Sequence, residues 1–392
     1  MTIKHKSSLK YIISSQYFLY FGVFGIFLPY FNLYCYHLGF TGFQIGALSA
    51  LRSITLVFFS LAWGVLADRF QIRRPIYILC NIASALIWIF YLFTENFLVM
   101  LVITAFYGIF YAPIISFLEA FSMDVLGKEK KSYGRLRMWG SISFIMVVIS
   151  LGKIIDLFSI NLILVLILAG SLMQASISFK IPDINISKKE LFSPATKSLL
   201  NIRVIIFLFC AFLMLVSHGT YYGFFSIHLE NLGYSTAFIG ISWAIASTAE
   251  IFLMINSDRI FKTFSPEKIL TFSFIVASIR WFILFFATSE SIILISQLLH
   301  AVTYGTFHMA SILYIDLLSP DKNKTFGQAV NNAATYGLGL MVGFFLNGYL
   351  YEKMDTSFLF IISSLIAIAG GVIFQAFRVL KNHSGYETEN MG

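Results

Sequence analysis

The sequence predicts an all-α membrane protein whose twelve transmembrane helices form two pseudo-symmetric six-helix bundles. Three observations predict this fold. The 392 residues are 58% hydrophobic and only 12% charged, whereas a typical soluble domain carries about 25% charged residues to cover its surface. Uncharged stretches reach the roughly 20 residues that cross a bilayer, and short motifs from the first half of the chain return in the second.

Six helices are predicted in the first half. Residues 11–51 carry no Asp, Glu, Lys or Arg, which is enough for one span, a short turn and the start of the next. The first span exceeds the roughly 7 to 15 apolar residues of a cleavable signal, so it is predicted to be a transmembrane helix. Helices 3, 4 and 6 follow from further uncharged stretches, and helix 5 begins with Arg137. The predicted ranges are 11–37, 43–67, 75–94, 97–124, 137–155 and 160–181.

The second half predicts six more helices by the same rule. Uncharged stretches account for five of them, and the ninth helix contains Arg280. The predicted ranges are 203–229, 235–257, 267–288, 291–317, 326–351 and 356–379. Cys35, Cys80 and Cys210 fall inside predicted helices, so they are expected to pack as small side chains rather than to form disulfides.

Two further features predict how helices bend and pack. Pro29 and Pro113 are expected to bend helices 1 and 4. Gly339 and Gly343 form a GxxxG pair, which favours close packing of helix 11 against a neighbour.

The positions of the basic residues predict the orientation in the membrane. With a cytoplasmic N-terminus, 23 of the 27 Lys and Arg residues lie on the inner side, as the positive-inside rule requires. Lys153 and Lys353 lie in outer loops, and Arg52 and Arg280 lie within helices. Both termini are therefore predicted to be cytoplasmic in a multi-pass protein of the plasma membrane. The same distribution accounts for the net charge of +8 without a nucleic-acid partner.

The two halves share motifs in the same order. "LGFTGFQIG" at 38–46 matches "LGYSTAFIG" at 232–240, and "YGIF" at 107–110 returns as "YGTF" at 304–307. This duplication predicts two bundles that enter the membrane from the same side, as in transporters that rock about a site near the midplane. The predicted divisions are 1–181 for the N-terminal bundle, 182–202 for a cytoplasmic linker, 203–380 for the C-terminal bundle and 381–392 for a cytoplasmic tail.

The segment "GVLADRFQIRRP", which begins at Gly64, places several charges between two apolar runs. One interpretation is an ordinary basic cytoplasmic loop. The order Gly-x-Leu-Ala-Asp-Arg also resembles the loop signature of the major facilitator superfamily. The resemblance implies that Gly64 lets helix 2 pack closely on a neighbour. It also assigns Asp68 and Arg69 to a cytoplasmic gate, where Asp68 pairs with an arginine or a helix N-terminus. Asp258 and Arg259 repeat the pair in the second half.

A second resemblance covers helices 4 and 5. The segment "LEAFSMDVLGKEKKSYGRLRMWGSISF" at 118–144 looks like the phenylpropionate permease branch of that superfamily, which is related to lactose permease and to nucleoside proton symporters. With residues 17–53, the likeness extends over most of the first half. It implies the major facilitator fold and proton-coupled uptake of a small organic solute. The branch transports chemically different solutes, so the ligand stays open.

Four charged side chains are predicted to lie inside the membrane: Arg52, Glu119, Glu250 and Arg280. Each costs about 2.5 to 3.5 kcal/mol to insert, so it needs a partner, a wet cavity or a function. Arg52 is predicted to contact the substrate, because a guanidinium suits a carboxylate. Glu119 or Glu250 is predicted to carry the coupled proton. A structural salt bridge between Glu250 and Arg280 is the alternative for that pair.

Glu119 also has an alternative role at the cytoplasmic gate. There it is placed to pair with Arg135 or Arg137, and Asp124 is assigned to the same gate as a partner of these arginines. The pattern of charges does not choose between this role and proton coupling.

Helix 10 carries His300, Tyr304 and His308 at four-residue spacing, which puts them on one face. Together with His218 on helix 7, they favour a polar pathway, although a histidine in a membrane helix is more often a hydrogen-bonded packing residue. Their role therefore depends on what that face contacts.

An aromatic stripe on helix 1 includes Tyr20, Phe24 and Phe27. Core packing is the plain interpretation of such a stripe. In the resembled branch this helix borders the cavity, where aromatic faces suit a ring-bearing solute. With Tyr304, these three residues are assigned to the cavity wall.

These features predict a secondary active transporter that takes up a small organic solute, such as an aromatic acid, a glycoside or a nucleoside, together with protons. The sequence has no H-E-x-x-H, G-x-S-x-G or G-x-x-x-x-G-K-[ST] motif, so neither an enzyme nor an ATP-driven pump is expected. The alternatives are a proton-driven exporter of aromatic or drug-like compounds and, in a different class, a non-transporting membrane sensor. No cofactor or metal is predicted. The protein is expected to function as a monomer in the lipid bilayer.

Overall fold

The computed structural model describes residues 3–182, 201–320 and 324–389 of the chain. Within these ranges every regular element is helical. Eleven helices are long and apolar enough to cross a membrane, and a twelfth apolar helix, Leu162–Ser178, is shorter. The predicted all-α fold is therefore confirmed. The predicted linker, 182–202, lies almost wholly outside the described residues.

Twelve membrane helices follow one another in the order that the sequence predicts, and we number them α1 to α12. The first six are α1 (Ile3–His37), α2 (Gly42–Phe70), α3 (Arg73–Trp88), α4 (Phe97–Leu126), α5 (Tyr133–Leu157) and α6 (Leu162–Ser178). The second six are α7 (Ile202–Asn231), α8 (Thr236–Ile255), α9 (Pro266–Phe286), α10 (Glu290–Leu318), α11 (Phe326–Tyr351) and α12 (Thr356–Glu389). Most ends agree with the predicted ranges within a few residues. The two outermost helices run further, α1 from Ile3 and α12 to Glu389.

The motif repeated in the two halves is a helix-ending turn followed by a helix cap. Gly39 and Gly233 have positive φ angles of 78° and 85°, which glycine adopts at little cost. Thr41 and Ser235 then accept hydrogen bonds from amides in the first turns of α2 and α8. The duplication noticed in the sequence is therefore a duplicated joint between two helices, α1 to α2 and α7 to α8.

Three helices depart from regular α geometry. α4 is interrupted at Ala112, directly before Pro113, as expected where a proline cannot donate its backbone hydrogen bond. Pro29, in contrast, lies within a continuous α1. α10 contains a π-helical segment, Ala301–Thr306, and α11 contains another, Ala333–Gly339. Such wide turns are uncommon and occur often at functional sites.

By packing, the chain divides into two compact units. The first comprises Met1–Lys189 and Tyr222–Ala244, and the second comprises Glu190–Tyr221 and Ile245–Gly392. The divisions fall within α7 and within α8, whereas the predicted domain boundaries follow the internal repeat of the sequence.

The GxxxG pair brings α11 against α7 in the second unit. A Cβ atom at Gly343 would lie 2.7 Å from the carbonyl oxygen of Val216. At Gly339 it would lie 2.9 Å from Leu215 and from the backbone of Phe212. The predicted close packing of this pair is confirmed, because only glycine leaves room for the neighbouring backbone.

Arg74, at the start of α3, caps the end of α6. Its Nε donates to the carbonyl oxygen of Ile181 at 2.7 Å, and its Nη2 donates to that of Phe179 at 2.9 Å. A cation is stabilising at a helix C-terminus, by about 0.3 to 1 kcal/mol. We expect Arg74→Gln to lower the free energy of unfolding in detergent by about 1 kcal/mol. Arg69→Gln is the control, since Arg69 is exposed, and an equal loss in both variants would contradict the capping role.

Candidate functional site

Arg280 lies at the centre of a polar cluster in the second unit. Its side chain is fully buried, and it donates to neutral acceptors on α10. These are the carbonyl oxygen of Ser296 at 3.0 Å, Oε1 of Gln297 at 3.1 Å and Oγ1 of Thr303 at 3.2 Å. The ring of Tyr221, on α7, faces the guanidinium at 4.3 Å. These contacts hold the charge of Arg280 in one orientation.

Gln297 fixes the orientation of this cluster. Its Oε1 accepts from Arg280 and also from the hydroxyl of Tyr221, at 3.0 Å. Its Nε2 donates to the carbonyl oxygen of Ile293 at 3.2 Å. Both ends of the amide are thus used, and one side chain joins α7, α9 and α10.

His300 connects Arg280 to Glu250. Nη1 of Arg280 lies 3.0 Å from Nδ1 of His300, and because a guanidinium only donates, Nδ1 must accept. The proton of the neutral imidazole is therefore on Nε2, which faces Oε2 of Glu250 at 4.0 Å. Gly305 leaves room for this carboxylate, since a Cβ atom there would lie 3.1 Å from Cγ of Glu250. The structure places His300 between the two predicted charges.

The polar face of α10 continues beyond His300. Tyr304 stacks on His300 with ring centroids 5.3 Å apart, and on His308 at 6.1 Å. Nδ1 of His308 lies 2.6 Å from the hydroxyl of Tyr336 on α11. The predicted common face of these three residues is confirmed, and both π-helical segments contribute to it through Tyr304 and Tyr336.

His218 packs at the α7 side of the same cluster. Its Nδ1 donates to the carbonyl oxygen of Met214 at 2.8 Å. Its ring centroid lies 5.0 Å from that of Trp281 and 6.5 Å from that of His300. All the candidate residues that the sequence placed in helices 7 to 10 for substrate or proton binding therefore lie in one cluster.

Arg52, in the first unit, lies among aromatic side chains. Its guanidinium carbon is 4.4 Å from the ring centroid of Phe27, and the side chains of Tyr20, Tyr107 and Tyr111 lie near it. Tyr111 stacks on Tyr20 at 5.4 Å and on Tyr107 at 5.0 Å. The side chain of Arg52 is half-buried. Two of the predicted cavity aromatics thus lie beside this arginine, whereas Phe24 packs on α5.

Glu119 lies in the half of α4 that is predicted to be cytoplasmic, and it is exposed. The hydroxyl of Tyr133 donates to its Oε1 at 3.4 Å. Arg137 interacts with it electrostatically, and the guanidinium of Arg137 lies 3.8 Å from the ring centroid of Phe21. Glu119 is therefore placed for the gate role as well as for proton binding.

Two predicted gate residues of the first half, Asp68 and Asp124, are joined by Arg73, which the sequence interpretation did not single out. Nη1 of Arg73 pairs with Asp124 at 3.0 Å, and Nη2 pairs with Asp68 at 3.3 Å. The expected pairing of Asp124 with Arg135 or Arg137 is corrected by this geometry. The first turn of α3 lies beside the last turn of α4, so Arg73 reaches Asp124 first.

Five other predicted gate residues are exposed or lack the packing expected of them. Apart from the neighbouring backbone of α2 itself, no described atom lies within 4 Å of the position that a Cβ would take at Gly64. The close packing expected there is therefore not found in the described part of the chain. Arg69 and Arg135 are exposed. Asp258 and Arg259 are exposed too, and they lie on a short helix after α8.

Comparison with known proteins decides the family. A family model described as the MFS_1 like family matches residues 11–362 of the chain. The chain belongs to this major facilitator family. Its fold matches the crystal structure of the nucleoside transporter NupG with a TM-score of 0.82, over 94% of this chain and 98% of that chain, at 17% sequence identity.

This major facilitator protein resembles transporters along most of its length. It is 26% identical over 357 residues to the probable 3-phenylpropionic acid transporter of Escherichia coli (strain K12), which covers 90% of this chain and 93% of that protein. It is 22% identical over 381 residues to the maltose permease of Geobacillus stearothermophilus, with 95% of each chain covered. It is 23% identical to the putative nucleoside transporter YegT of Escherichia coli (strain K12), with 81% and 78% covered. The protein is a multi-pass membrane transporter of small solutes, and its relatives are transporters rather than enzymes.

The sequence interpretation of this transporter missed a contact between α5 and α8 in the first unit. Asp156 accepts from the backbone amides of Thr236 and Ala237 at 2.9 and 3.0 Å, and from the hydroxyl of Thr236 at 2.6 Å. These amides begin α8, where a carboxylate is stabilising. One turn further, a Cβ atom at Gly240 would overlap the carbonyl oxygen of Val148 on α5. An aspartate just past the predicted end of helix 5 was the only local signal.

A second set of contacts joins α1 to α7 in the same unit. The hydroxyl of Tyr36 donates to Oδ1 of Asn231 at 3.0 Å. Nε2 of His37 lies 2.6 Å from Oε1 of Glu230. All four residues lie at the helix ends that are predicted to face outside. In this transporter, α1 is therefore hydrogen-bonded to the predicted outer end of α7, and α5 to that of α8.

Proposed function

We propose that this transporter couples the uptake of a small organic solute to proton entry, and that Glu250 carries the proton. The observation that supports this proposal is that His300 contacts both Arg280 and Glu250. Arg280 is fully buried, and the side chain of His300 is only 6% exposed, whereas that of Glu250 is 26% exposed. Glu250 is therefore the most accessible member of these three residues.

Protonation of Glu250 changes the charge inside the membrane. When the carboxylate is ionised, its negative charge offsets the positive charge of Arg280 through His300. When the carboxylate is neutral, the charge of Arg280 has lost that counter-charge, which is costly in a low-dielectric surrounding. The two protonation states therefore favour different surroundings. If the ionised and the neutral carboxylate favour different conformations, binding of a proton shifts the equilibrium between those conformations.

The surroundings of Arg52 support an acidic, ring-bearing solute. A guanidinium binds a carboxylate with two parallel hydrogen bonds, and aromatic side chains such as Phe27 and Tyr107 offer faces on which a ring can stack. A relative carries phenylpropionic acid in its name, whereas others are named for maltose and for nucleosides. We therefore rank aromatic acids first, and glycosides and nucleosides after them.

Uptake into proteoliposomes tests the function. The purified protein, with an inward proton gradient imposed, is given 3-phenylpropionate, maltose and a nucleoside in turn. We expect accumulation of at least one solute and its collapse when a protonophore is added. Binding without flux would replace the symporter with a membrane sensor, and efflux driven by inward protons would replace it with an exporter. The orientation with both termini cytoplasmic and the monomeric state are proposals that labelling and light scattering would test.

Arg52→Ala is expected to weaken the binding of an anionic solute at least about tenfold, because losing one partner of a desolvated charge pair costs about 2 kcal/mol or more. Binding is measured by isothermal titration of the protein in nanodiscs, and thermal unfolding checks the fold. Arg52→Lys is the matched control. It keeps the charge and loses the planar fork, so an intermediate affinity is expected. Unchanged affinity in Arg52→Ala would remove Arg52 from the site.

A further inference from the structure

A groove runs along the surface of the second unit between α9 and α12. Its volume is about 500 Å³. Its walls are apolar side chains such as Ile275 and Val372, which are 52% and 62% exposed. Gly371 brings the helices together at its floor, since a Cβ atom there would lie 2.9 Å from Cβ of Phe274. The groove is thus a slot between two exposed rows of aliphatic side chains.

The length of the groove matches one leaflet of a bilayer. On α9 it extends from Thr271 to Ile279, nine residues that span about 12 Å of helix. On α12 it extends from Ala367 to Ala376, about 14 Å. A single leaflet is about half of the 30 Å hydrocarbon core. One acyl chain therefore fits along the slot.

One end of the groove is polar and positively charged. Nη1 of Arg378 donates to Oγ1 of Thr271 and to Oε1 of Gln375, both at 3.0 Å. Within the described ranges, no carboxylate lies at salt-bridge distance from Arg378. Its charge is therefore held at the mouth of the slot by two neutral side chains. By the predicted orientation this end lies at the inner leaflet.

We propose that this groove binds an anionic phospholipid, with one acyl chain in the slot and the phosphate at Arg378. Basic residues at the surface of a leaflet attract anionic headgroups by about 1 kcal/mol each, which is about a fivefold preference. An anionic phospholipid supplies both parts, because its acyl chain fills the slot and its phosphate is a counter-charge for Arg378. The combination of an apolar slot with a single cation at one end favours the lipid.

Native mass spectrometry of the whole protein, released from nanodiscs that mix phosphatidylglycerol with phosphatidylcholine, tests the site. We expect the wild-type protein to retain phosphatidylglycerol in preference to phosphatidylcholine. Arg378→Gln should reduce that preference about fivefold, and Arg378→Lys should keep it. Arg259→Gln removes an exposed arginine elsewhere in the second unit. It is the control, and it should leave the preference for phosphatidylglycerol unchanged.

A second variant separates the acyl slot from the charge. Val372→Trp puts an indole over the groove, and it should reduce the retention of phosphatidylglycerol while the thermal unfolding of the protein stays unchanged. Equal retention of both lipids by the wild-type protein would overturn the proposal. So would equal loss in Arg378→Gln and Arg259→Gln. Ions of twice the chain mass that disappear in Val372→Trp would show that a second copy occupies the slot instead.

Discussion

Replacing Glu250 by glutamine is expected to abolish proton-driven accumulation of the solute while exchange of solute across the membrane continues. Glutamine has the shape of glutamate, and its carbonyl oxygen can face the Nε2 proton of His300 as the carboxylate does now, at 4.0 Å. It cannot bind or release a proton. With a pH difference of about one unit, one-to-one coupling drives up to about tenfold accumulation, since 1.4 kcal/mol is a factor of ten. That factor should fall to about one in Glu250→Gln.

The same measurement decides between the two candidate carboxylates. Uptake against a concentration difference and counterflow between equal concentrations are compared in proteoliposomes. Glu119→Gln is the matched control, because Glu119 contacts Tyr133 at 3.4 Å and has an alternative role at the gate. We expect this control to slow both processes equally and to keep accumulation. Loss of accumulation in Glu119→Gln but not in Glu250→Gln would transfer the proton to Glu119.

Much of the fold was predictable because the bilayer restricts what a chain can do. In lipid, backbone groups must find partners within their own helix, so uncharged stretches of sufficient length locate the helices. The π-helical segments in α10 and α11 were not predicted. They change the backbone hydrogen bonding of a few residues and leave the hydrophobic composition as it was. These segments carry Tyr304 and Tyr336, which contact His308 in the polar cluster.

The candidate site was predictable where one helix supplies several of its residues. Spacing alone put His300 and His308 on one face, because that relation is local. Gln297 gave no such signal. A neutral amide is ordinary in a sequence, and its role follows only from contact with Arg280, which is on another helix. Arg73 was passed over for a similar reason, because a loop arginine is expected at the inner leaflet whether or not it has a partner.

The largest conformational effect is expected from Gly240→Leu. α8 lies so close to α5 at this residue that any Cβ would overlap the carbonyl oxygen of Val148, and Asp156 binds the first amides of α8 one turn away. A leucine side chain must therefore separate the two helices. Overpacking costs about 1 to 3 kcal/mol, and about 1.4 kcal/mol changes a conformational equilibrium tenfold. If α5 and α8 part during transport, the variant should stay folded in the state where they are apart.

Measurements of solute uptake and of solute binding together distinguish a contact between α5 and α8 that opens during transport from one that stays closed. For a contact that opens during the cycle, Gly240→Leu should bind the solute with at least wild-type affinity in nanodiscs and show at least about tenfold slower uptake in proteoliposomes. Gly64→Leu is the matched control. It introduces the same side chain into a membrane helix at a position where, apart from the helix's own neighbouring backbone, no described atom lies within 4 Å of the Cβ. Wild-type uptake is therefore expected. If the Gly240→Leu protein unfolds, or loses binding together with uptake, the contact between α5 and α8 is a permanent part of the fold. A contact that breaks in every transport cycle cannot be one that the folded state requires.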